Sequence, residues 1–254
     1  MAWRAGTGRE LSPGMAGGPP IIVFSRADSR RLPGKALLDI AGRPLLGRVL
    51  DRLSHGGAGT VIVATSVRPV DDGIAAFAEA EGYGVFRGDG ADVSARALAC
   101  AEANGLDWFV RVSGDSPFID PAVVARVADL YRCEEPDLAT NVFPRSFPAG
   151  CSAEAVRVDA LRRSMAESAA PEHREHVTTY FYEHPDRFRI VNAPSGRVGL
   201  AGWSLAVDTE ADLAMARWIA ARHPRPDQAT LDEILALRGA WSRIGTLGSV
   251  SHAR

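Results

Sequence analysis

The sequence lacks several features that would place a protein in a broad class at once. None of its apolar runs reaches the roughly 18 residues that a membrane-spanning helix needs. Its 29 basic residues are balanced by 31 acidic ones, and the net charge of −2 argues against a general affinity for nucleic acid. The three cysteines are far apart and show no CxxC spacing, which favours a reduced, cytoplasmic setting.

The two ends of the chain also lack the periodicity of folded elements. The first twenty residues are rich in glycine and proline and contain no apolar stretch of the kind found in secretory signals, so we expect a disordered leader over 1–20. Residues 21–241 should form one domain, since no repeat or internal linker interrupts them. Residues 242–254 are predicted to be a flexible tail.

Between these ends, short apolar runs alternate with helical segments, which is typical of parallel strands joined by crossover helices. The predicted strands are PIIVFS, TVIVATS, GVFRG, WFVRVSGD, DLATN and WSLAVDT. From about 143 to 190 the alternation loosens into two helices and a return strand, so this segment is expected to leave the main sheet. In an open parallel sheet, ligands bind beyond the carboxyl ends of the strands.

The loop after the first strand, FSRADSRRLPGK, concentrates positive charge. Its cations are Arg26, Arg30, Arg31 and Lys35, offset only by Asp28. Cations crowded at a strand end repel one another unless an anion holds them, and a polyphosphate is suitable because arginine can bind it through two parallel hydrogen bonds. The alternative is a solvated basic turn that pairs with surface carboxylates.

Two acidic residues follow apolar strands that should end at the same edge of the sheet. Asp115 comes after WFV and Asp208 comes after SLAV. Such a pair could bind Mg²⁺, which takes one or two protein carboxylates together with phosphate oxygens and water, as metal-assisted nucleotidyl transfer requires. Each could instead cap a helix, a role for which Asp120, before Pro121, is better placed than Asp115.

Several motifs together resemble the cytidylyltransferases of the spore-coat polysaccharide (SpsF-like) type, relatives of the acylneuraminate and 3-deoxy-manno-octulosonate cytidylyltransferases. SRADSRRLPGK is similar to that family's first loop, and the later motifs follow in the family's order: VIVATSVRPVDD, FRGDGADV, RVSGDSPFIDP, FPAGCSAE, HREHVTTY and LAVDTEADL. The resemblance runs from about Ile21 to Leu213. It implies a single α/β domain of the nucleotide-diphospho-sugar transferase (GT-A) type, with a mostly parallel sheet flanked by helices and an excursion at about 143–190.

The resemblance also implies a role for each motif. The first loop would wrap CTP through Arg26, Ser29, Arg31 and Lys35, and Arg31 and Lys35 would act on the phosphates. Asp115 and Asp208 would hold Mg²⁺ and complete the catalytic set. The cytosine and ribose side would be lined by Ser66, Arg87, Gly88 and Asp92. The acceptor, or a subunit contact in a homodimer, would be met by Arg145, Ser152, Glu154, Glu175 and His176.

The implied reaction transfers CMP from CTP to a sugar, a sugar acid or a phosphonate-type acid and releases pyrophosphate. Two departures fall on the acceptor side, because Ser152 stands where the family commonly has aspartate and Ser204 where arginine is frequent. A second reading is a GT-A glycosyltransferase that uses a nucleotide sugar, although the D-x-D metal motif of such enzymes is missing near Asp115. A third is a non-catalytic nucleotide-binding protein.

Overall fold

The computed structural model describes residues 17–168 and 170–250 of the chain. The strands of its sheet are β1 (Ile21–Phe24), β2 (Val61–Ser66), β3 (Gly84–Gly88), β4 (Trp108–Ser113), β5 (Leu138–Thr140), β6 (Glu154–Arg157) and β7 (Ile190–Asn192). They lie in the order β3-β2-β1-β4-β6-β5-β7. All neighbours run parallel except that β6 is antiparallel to both β4 and β5. The predicted mostly parallel sheet is therefore confirmed.

Helices cover both faces of this sheet. They are α1 (Leu45–His55), α2 (Asp72–Ala80), α3 (Val93–Ala103), α4 (Pro121–Glu134), α5 (Val158–Glu167), α6 (Pro171–Glu175), α7 (Thr179–Glu183), α8 (Glu210–Ala220) and α9 (Leu231–Val250). Alternate residues of β1 enter two separate apolar cores: Ile21 and Val23 join one, and Ile22 joins the other. In the described ranges, no helix is both long and apolar enough to cross a membrane.

The strand register brings the loops that carry the charged motifs to one edge. Phe24, which ends β1, pairs with Ser113 at the end of β4 and with Ala64 near the end of β2. Because these three strands are parallel, the chain leaves all of them on the same side of the sheet. The first loop and the segment around Asp115 therefore begin beside each other.

The segment over 143–190 differs from its expected path. It contains β6, which lies inside the sheet between β4 and β5 rather than outside it. An antiparallel strand needs no crossover helix, so the alternation of strands and helices gave no sign of β6. The two short helices α6 and α7 do leave the sheet before the return strand β7.

The predicted strand WSLAVDT is wrong, because these residues form an extended segment outside the strands of the sheet. The Leu205 N–H donates to the carbonyl of Ala149 at 2.8 Å, and the Val207 N–H donates to the carbonyl of Asp115 at 2.9 Å. The Ala149 N–H also donates to the Trp203 carbonyl at 3.0 Å, so the segment is fixed by one isolated parallel bridge, between Ala149 and Ser204, and by the bond to Asp115, and not by a continuous ladder. Its apolar alternation reflects burial of Leu205 and Val207 in the core.

The predicted ends of the domain also need adjustment. Residues 1–16 of the expected leader and 251–254 of the expected tail lie outside the described residues. The Pro19 and Pro20 carbonyls accept hydrogen bonds from Gly59 and Val110, at 3.1 and 2.8 Å, so the chain is packed on the sheet before β1 begins. Helix α9 continues to Val250, and residues 242–250 are helical although their glycines weaken the helical pattern in the sequence.

Candidate active site at the carboxyl edge of the sheet

Lys35 lies at the centre of the charged groups on this edge. Its ammonium donates to Asp115 Oδ2 at 2.9 Å, to Asp208 Oδ1 at 2.8 Å and to the Val207 carbonyl at 2.8 Å. Burial lowers the pKa of Lys35, but the two carboxylates more than offset this and hold its pKa above the ordinary value. With 12% of the side chain exposed, Lys35 is a fixed positive charge between two acids.

The local sequence explains why this lysine points inward. Leu32 and Ala36 are buried and anchor the first loop on either side of it. Gly34 adopts a left-handed conformation, with φ at 69°, which costs glycine little, and its N–H donates to the Ala27 carbonyl at 2.8 Å. The loop thus closes on itself and begins a short 3₁₀ turn at Lys35.

Neither of the two metal-ligand candidates caps a helix. Thr209, not Asp208, is the N-cap of α8, where it forms a capping box with Asp212. Asp120 caps α4, as predicted, by accepting from the Ala122 N–H at 2.7 Å. The carboxylates of Asp115 and Asp208 are therefore not used for capping and face Lys35 instead.

The ionised state of Asp208 follows from its neighbours. Burial raises the pKa of Asp208, but the hydrogen bonds and positive charges of Lys35 and Arg31 have a larger, opposite effect. The pKa of Asp208 therefore lies below the usual range for aspartate. Arg31 Nη2 lies 3.1 Å from Asp208 Oδ2, while 66% of the Arg31 side chain is exposed. Arg31 is thus tethered at one point and free to meet a ligand with the rest of its guanidinium.

The remaining polar residues of the first loop are less constrained. Arg30 is exposed, and within the described part of the chain it forms no ion pair. Ser29 is half-buried. Arg26 approaches Asp28 at 3.6 Å and donates through Nη1 to the Gly90 carbonyl at 3.0 Å. Arg26 therefore connects the first loop to the loop that follows β3.

The loop after β3 carries residues predicted to lie beside the nucleotide. Asp92 accepts from the Ala95 N–H at 2.7 Å and caps α3, and Arg174 lies 3.8 Å from its other oxygen. Gly88 ends β3, and a Cβ built there would lie 3.0 Å from Arg96 Cγ. Asp92 thus stabilises the start of α3 and Gly88 leaves room for Arg96, and both flank the Gly90 carbonyl that Arg26 contacts.

Ser66 does not line an open surface, in contrast to the prediction. The residue is buried, and its hydroxyl donates to the Asp71 carboxylate. Arg87 donates to the Ser66 carbonyl at 2.9 Å and to Asp72 at 2.6 Å. Asp71 was not among the predicted site residues, but its carboxylate accepts from the Ala27 N–H at 2.7 Å and connects the first loop to the segment after β2. The sequence alone does not show whether Asp71 or the adjacent Asp72 faces inward.

Glu154 is also inaccessible, so its predicted contact with the acceptor needs correction. The residue is 2% exposed, and its carboxylate accepts from Arg111, Thr178 and Tyr182. Burial raises the pKa of Glu154, but the Arg111 charge and the hydrogen bonds from Tyr182 and Thr178 lower it more, and the net pKa is depressed. Glu154 thus joins α7 to the sheet.

This arrangement predicts an acid-sensitive contribution to stability. A carboxylate whose pKa is lower in the folded state than in the unfolded state stabilises the fold at every pH above its unfolded-state pKa of 4.5. This stabilisation is lost as the pH falls from there through the folded-state pKa. Glu154→Gln should therefore lower the free energy of unfolding at pH 7 by about 1–3 kcal/mol, with a smaller difference near pH 4. Urea unfolding at both pH values measures this, with the exposed Glu172→Gln as control. An equal loss at both pH values would contradict the prediction.

The other predicted acceptor residues lie outside the strands of the sheet, and all of them except the half-buried Ser152 are exposed. Arg145 donates to the Ser152 hydroxyl at 3.1 Å. Glu175 and His176, at the end of α6, are exposed, and Glu175 approaches Arg26 Nη2 at 3.9 Å. The structure thus brings Glu175 to the first loop and joins Arg145 to Ser152 as a separate pair.

The sequence and the fold are both similar to those of known proteins. The cytidylyltransferase family profile matches residues 20–209. The spore coat polysaccharide biosynthesis protein SpsF of Bacillus subtilis is 28% identical over 199 residues, 75% of this chain and 81% of that protein. The 3-deoxy-manno-octulosonate cytidylyltransferase of Methylorubrum populi is 38% identical over 128 residues, 48% of this chain and 50% of that one. The solved structure of a cytidylyltransferase from Leptospira borgpetersenii superposes with a TM-score of 0.81 and 28% identity, covering 88% of this chain and 94% of that chain.

Proposed function

The chain belongs to the cytidylyltransferase family, and we propose that it transfers CMP from CTP to a sugar acid or a related anionic acceptor, releasing pyrophosphate. The observation that carries this proposal is the ammonium of Lys35, held by Asp115 and Asp208 at the carboxyl edge of β1 and β4. A cation and two acids at this edge are what a nucleoside triphosphate and its counter-ion require.

The first loop provides the groups that would bind the triphosphate. Arg31 and Lys35 both contact Asp208, so two positive charges lie together where they can face the phosphate oxygens, and the exposed Arg30 precedes Arg31 in the chain. An acceptor oxygen attacks the α-phosphorus, the bond to the bridging oxygen breaks and pyrophosphate leaves with its electron pair. Negative charge then grows on phosphate oxygens, and cations already fixed in place stabilise it without further reorganisation.

Asp115 and Asp208 would hold Mg²⁺ in this proposal. Both carboxylates converge on one cationic group, and the low pKa of Asp208 keeps it ionised. In the ranges that the structure describes, no group of three or more histidine, cysteine, aspartate or glutamate side chains is arranged so that it could hold a metal ion. The remaining ligands would thus be phosphate oxygens and water, which fits Mg²⁺. When bound, the ion would neutralise charge on the phosphates.

The acceptor side favours an anion. Arg145 forms its hydrogen bond with a neutral hydroxyl, that of Ser152, so its positive charge is not cancelled by a carboxylate there. A carboxylate or phosphate acceptor would already be ionised and would need no general base. A sugar hydroxyl would need one, and His176, exposed near Glu175 and Arg26, is the candidate.

The test is a reaction of the purified protein with CTP, Mg²⁺ and a panel of sugar acids, sugar phosphates, phosphonates and neutral sugars. We expect pyrophosphate release only with an acceptor present, and mass spectrometry should find a CMP conjugate of an anionic acceptor. Release with ATP, GTP or UTP at the same rate would contradict the cytidine preference. CTP binding without turnover on the whole panel would favour a non-catalytic role.

The homodimer and the cytoplasmic setting stay predictions. Phe143, stacked on Tyr182 with ring centroids 4.8 Å apart, is partly exposed in the segment that the resemblance assigns to the acceptor or a subunit contact. Sedimentation velocity should show a dimer that Phe143→Ser weakens. A monomer at micromolar concentration would contradict this prediction.

A further inference from the structure

Two arginines are almost completely buried, and they differ in how well they are paired. Arg52 is 0% exposed and Arg96 is 1% exposed. The guanidinium of Arg52 donates to three carbonyls, those of Ile119, Pro226 and Ala229, at 2.6, 2.6 and 2.7 Å. Arg96 donates through Nη1 to the Asp89 carbonyl, and its buried Nε has no partner. Within the described part of the chain, neither guanidinium forms an ion pair.

Arg96 lies beneath the loop Gly88–Ala91, which we call the glycine loop. Its Cγ would be 3.0 Å from a Cβ at Gly88, so the side chain fills the space that the glycine leaves. It holds the Asp89 carbonyl, while Arg26 holds the next carbonyl, that of Gly90, at 3.0 Å. The glycine loop is thus fixed from below by one guanidinium and from the first loop by another.

The free protein gains little from this arrangement. Burial, together with repulsion from Arg26, lowers the pKa of Arg96 to about 10. Burying a cation without a carboxylate partner and with an unused donor costs stability, and an apolar residue of similar volume is often neutral or better. Residues that break such local rules are expected where a ligand completes the site.

We propose that Arg96 is a positioning residue for CTP, which fixes the glycine loop and, through the Gly90 carbonyl, the guanidinium of Arg26 on the base and ribose side of the nucleotide. This assignment rests on the proposed function. In the free protein Arg26 has, among the described residues, only long contacts with carboxylates, Asp28 at 3.6 Å and Glu175 at 3.9 Å. Arg96 has no ion pair with any of these residues, so the anionic nucleotide would add negative charge beside these two guanidinium groups. Arg96 itself stays under the loop and does not touch the reacting atoms.

The experiment compares Arg96→Met with Arg52→Met as a matched buried control and with Arg96→Lys as a rescue. Melting temperature without ligand, CTP affinity by calorimetry, and kcat and KM for CTP are measured for each. Arg96→Met should weaken CTP binding and raise KM by about tenfold, with kcat changed less, since a positioning contact of this size is lost. Its melting temperature should hold or rise. Arg96→Lys should recover most of the affinity because it keeps the charge and a donor.

The control should behave in the opposite way. Arg52→Met leaves three carbonyls without a donor, so it should lower the melting temperature and leave KM unchanged. A melting temperature of Arg96→Met that falls as far as that of Arg52→Met, or failure of Arg96→Met to fold, would assign Arg96 to the core and overturn the inference. Unchanged CTP affinity in Arg96→Met would also overturn it. A wild-type protein that binds no CTP would instead reject the proposed function, and the assignment of Arg96 with it.

Discussion

Lys35→Ala is expected to slow CTP-dependent pyrophosphate release by about 10²–10³-fold, the usual cost of removing one fixed group that stabilises a transition state. The ammonium is nearly buried and its three donors are held by Asp115, Asp208 and the Val207 carbonyl, so its charge is already in place, and a phosphate oxygen would take over one of these hydrogen bonds. Asp115 and Asp208 then lose their shared cation, but both are partly exposed and can be solvated. We therefore expect the fold to survive with a small loss of stability.

Steady-state pyrophosphate release and a melting curve measure this prediction. Arg43→Ala is a matched control, because Arg43 also bridges two carboxylates, those of Asp51 on α1 and Glu81 between α2 and β3, at 2.8 and 2.6 Å, and neither of them contacts Lys35. It should cost some stability and leave the rate unchanged. Turnover of Lys35→Ala within about threefold of wild type would reject the role of Lys35, because one lost contact of this kind costs far more.

The composition of the chain offers an independent measurement at the same residue. Lys35 is the only lysine in the sequence, so an amine-acylating reagent can modify only this side chain and the amino terminus. Only the unprotonated amine reacts and the pKa of Lys35 is raised, so the reaction is run at alkaline pH for long enough to modify Lys35 measurably in the free protein. Peptide mass spectrometry then reports how CTP changes the access to Lys35. CTP should slow the acylation if the triphosphate binds against this ammonium. Equal acylation rates with and without saturating CTP would contradict that placement.

The groups around Lys35 were predictable because their position depends on chain direction alone. Parallel strands deliver their following loops to one edge, and β1 pairs in register with β4, so the first loop and Asp115 had to meet. Asp208 reached the same place although its segment is not a strand, because the Val207 N–H bonds to the Asp115 carbonyl. The position of Asp208 was predictable because Asp208 follows a buried apolar run, whether or not that run pairs as a strand of the sheet.

The accessibility of individual polar side chains could not be predicted in the same way. Glu154 is opposite Arg111 in the β4 and β6 register, and its pairing with that arginine exists only because β6 enters the sheet antiparallel. Ser66 faces inward at the end of β2, where its hydroxyl donates a hydrogen bond to the Asp71 carboxylate. In both cases the residue type fits a ligand contact, but the direction of one side chain decides between ligand binding and internal support.

Asp208→Asn is expected to reduce the rate of pyrophosphate release by about 10²–10³-fold, as loss of a fixed charged group does. The carboxylate interacts with both Lys35 and Arg31, so its amide would lose the charge that holds the two cations and, in the proposed site, the divalent ion. The variant should need more Mg²⁺ for half-maximal rate, and calorimetry with CTP should show weaker Mg²⁺-dependent binding, a readout that does not depend on turnover.

A neighbouring carboxylate separates this effect from damage to helix α8. Asp212 lies four residues further on and completes the capping box with Thr209. Asp212→Ala should lower stability by about 1 kcal/mol, as the loss of a cap does, and leave the Mg²⁺ dependence unchanged. If Asp208→Asn instead lost stability like Asp212→Ala and kept its Mg²⁺ dependence, Asp208 would be a structural partner of Lys35. The two-carboxylate site would then reduce to Asp115 alone.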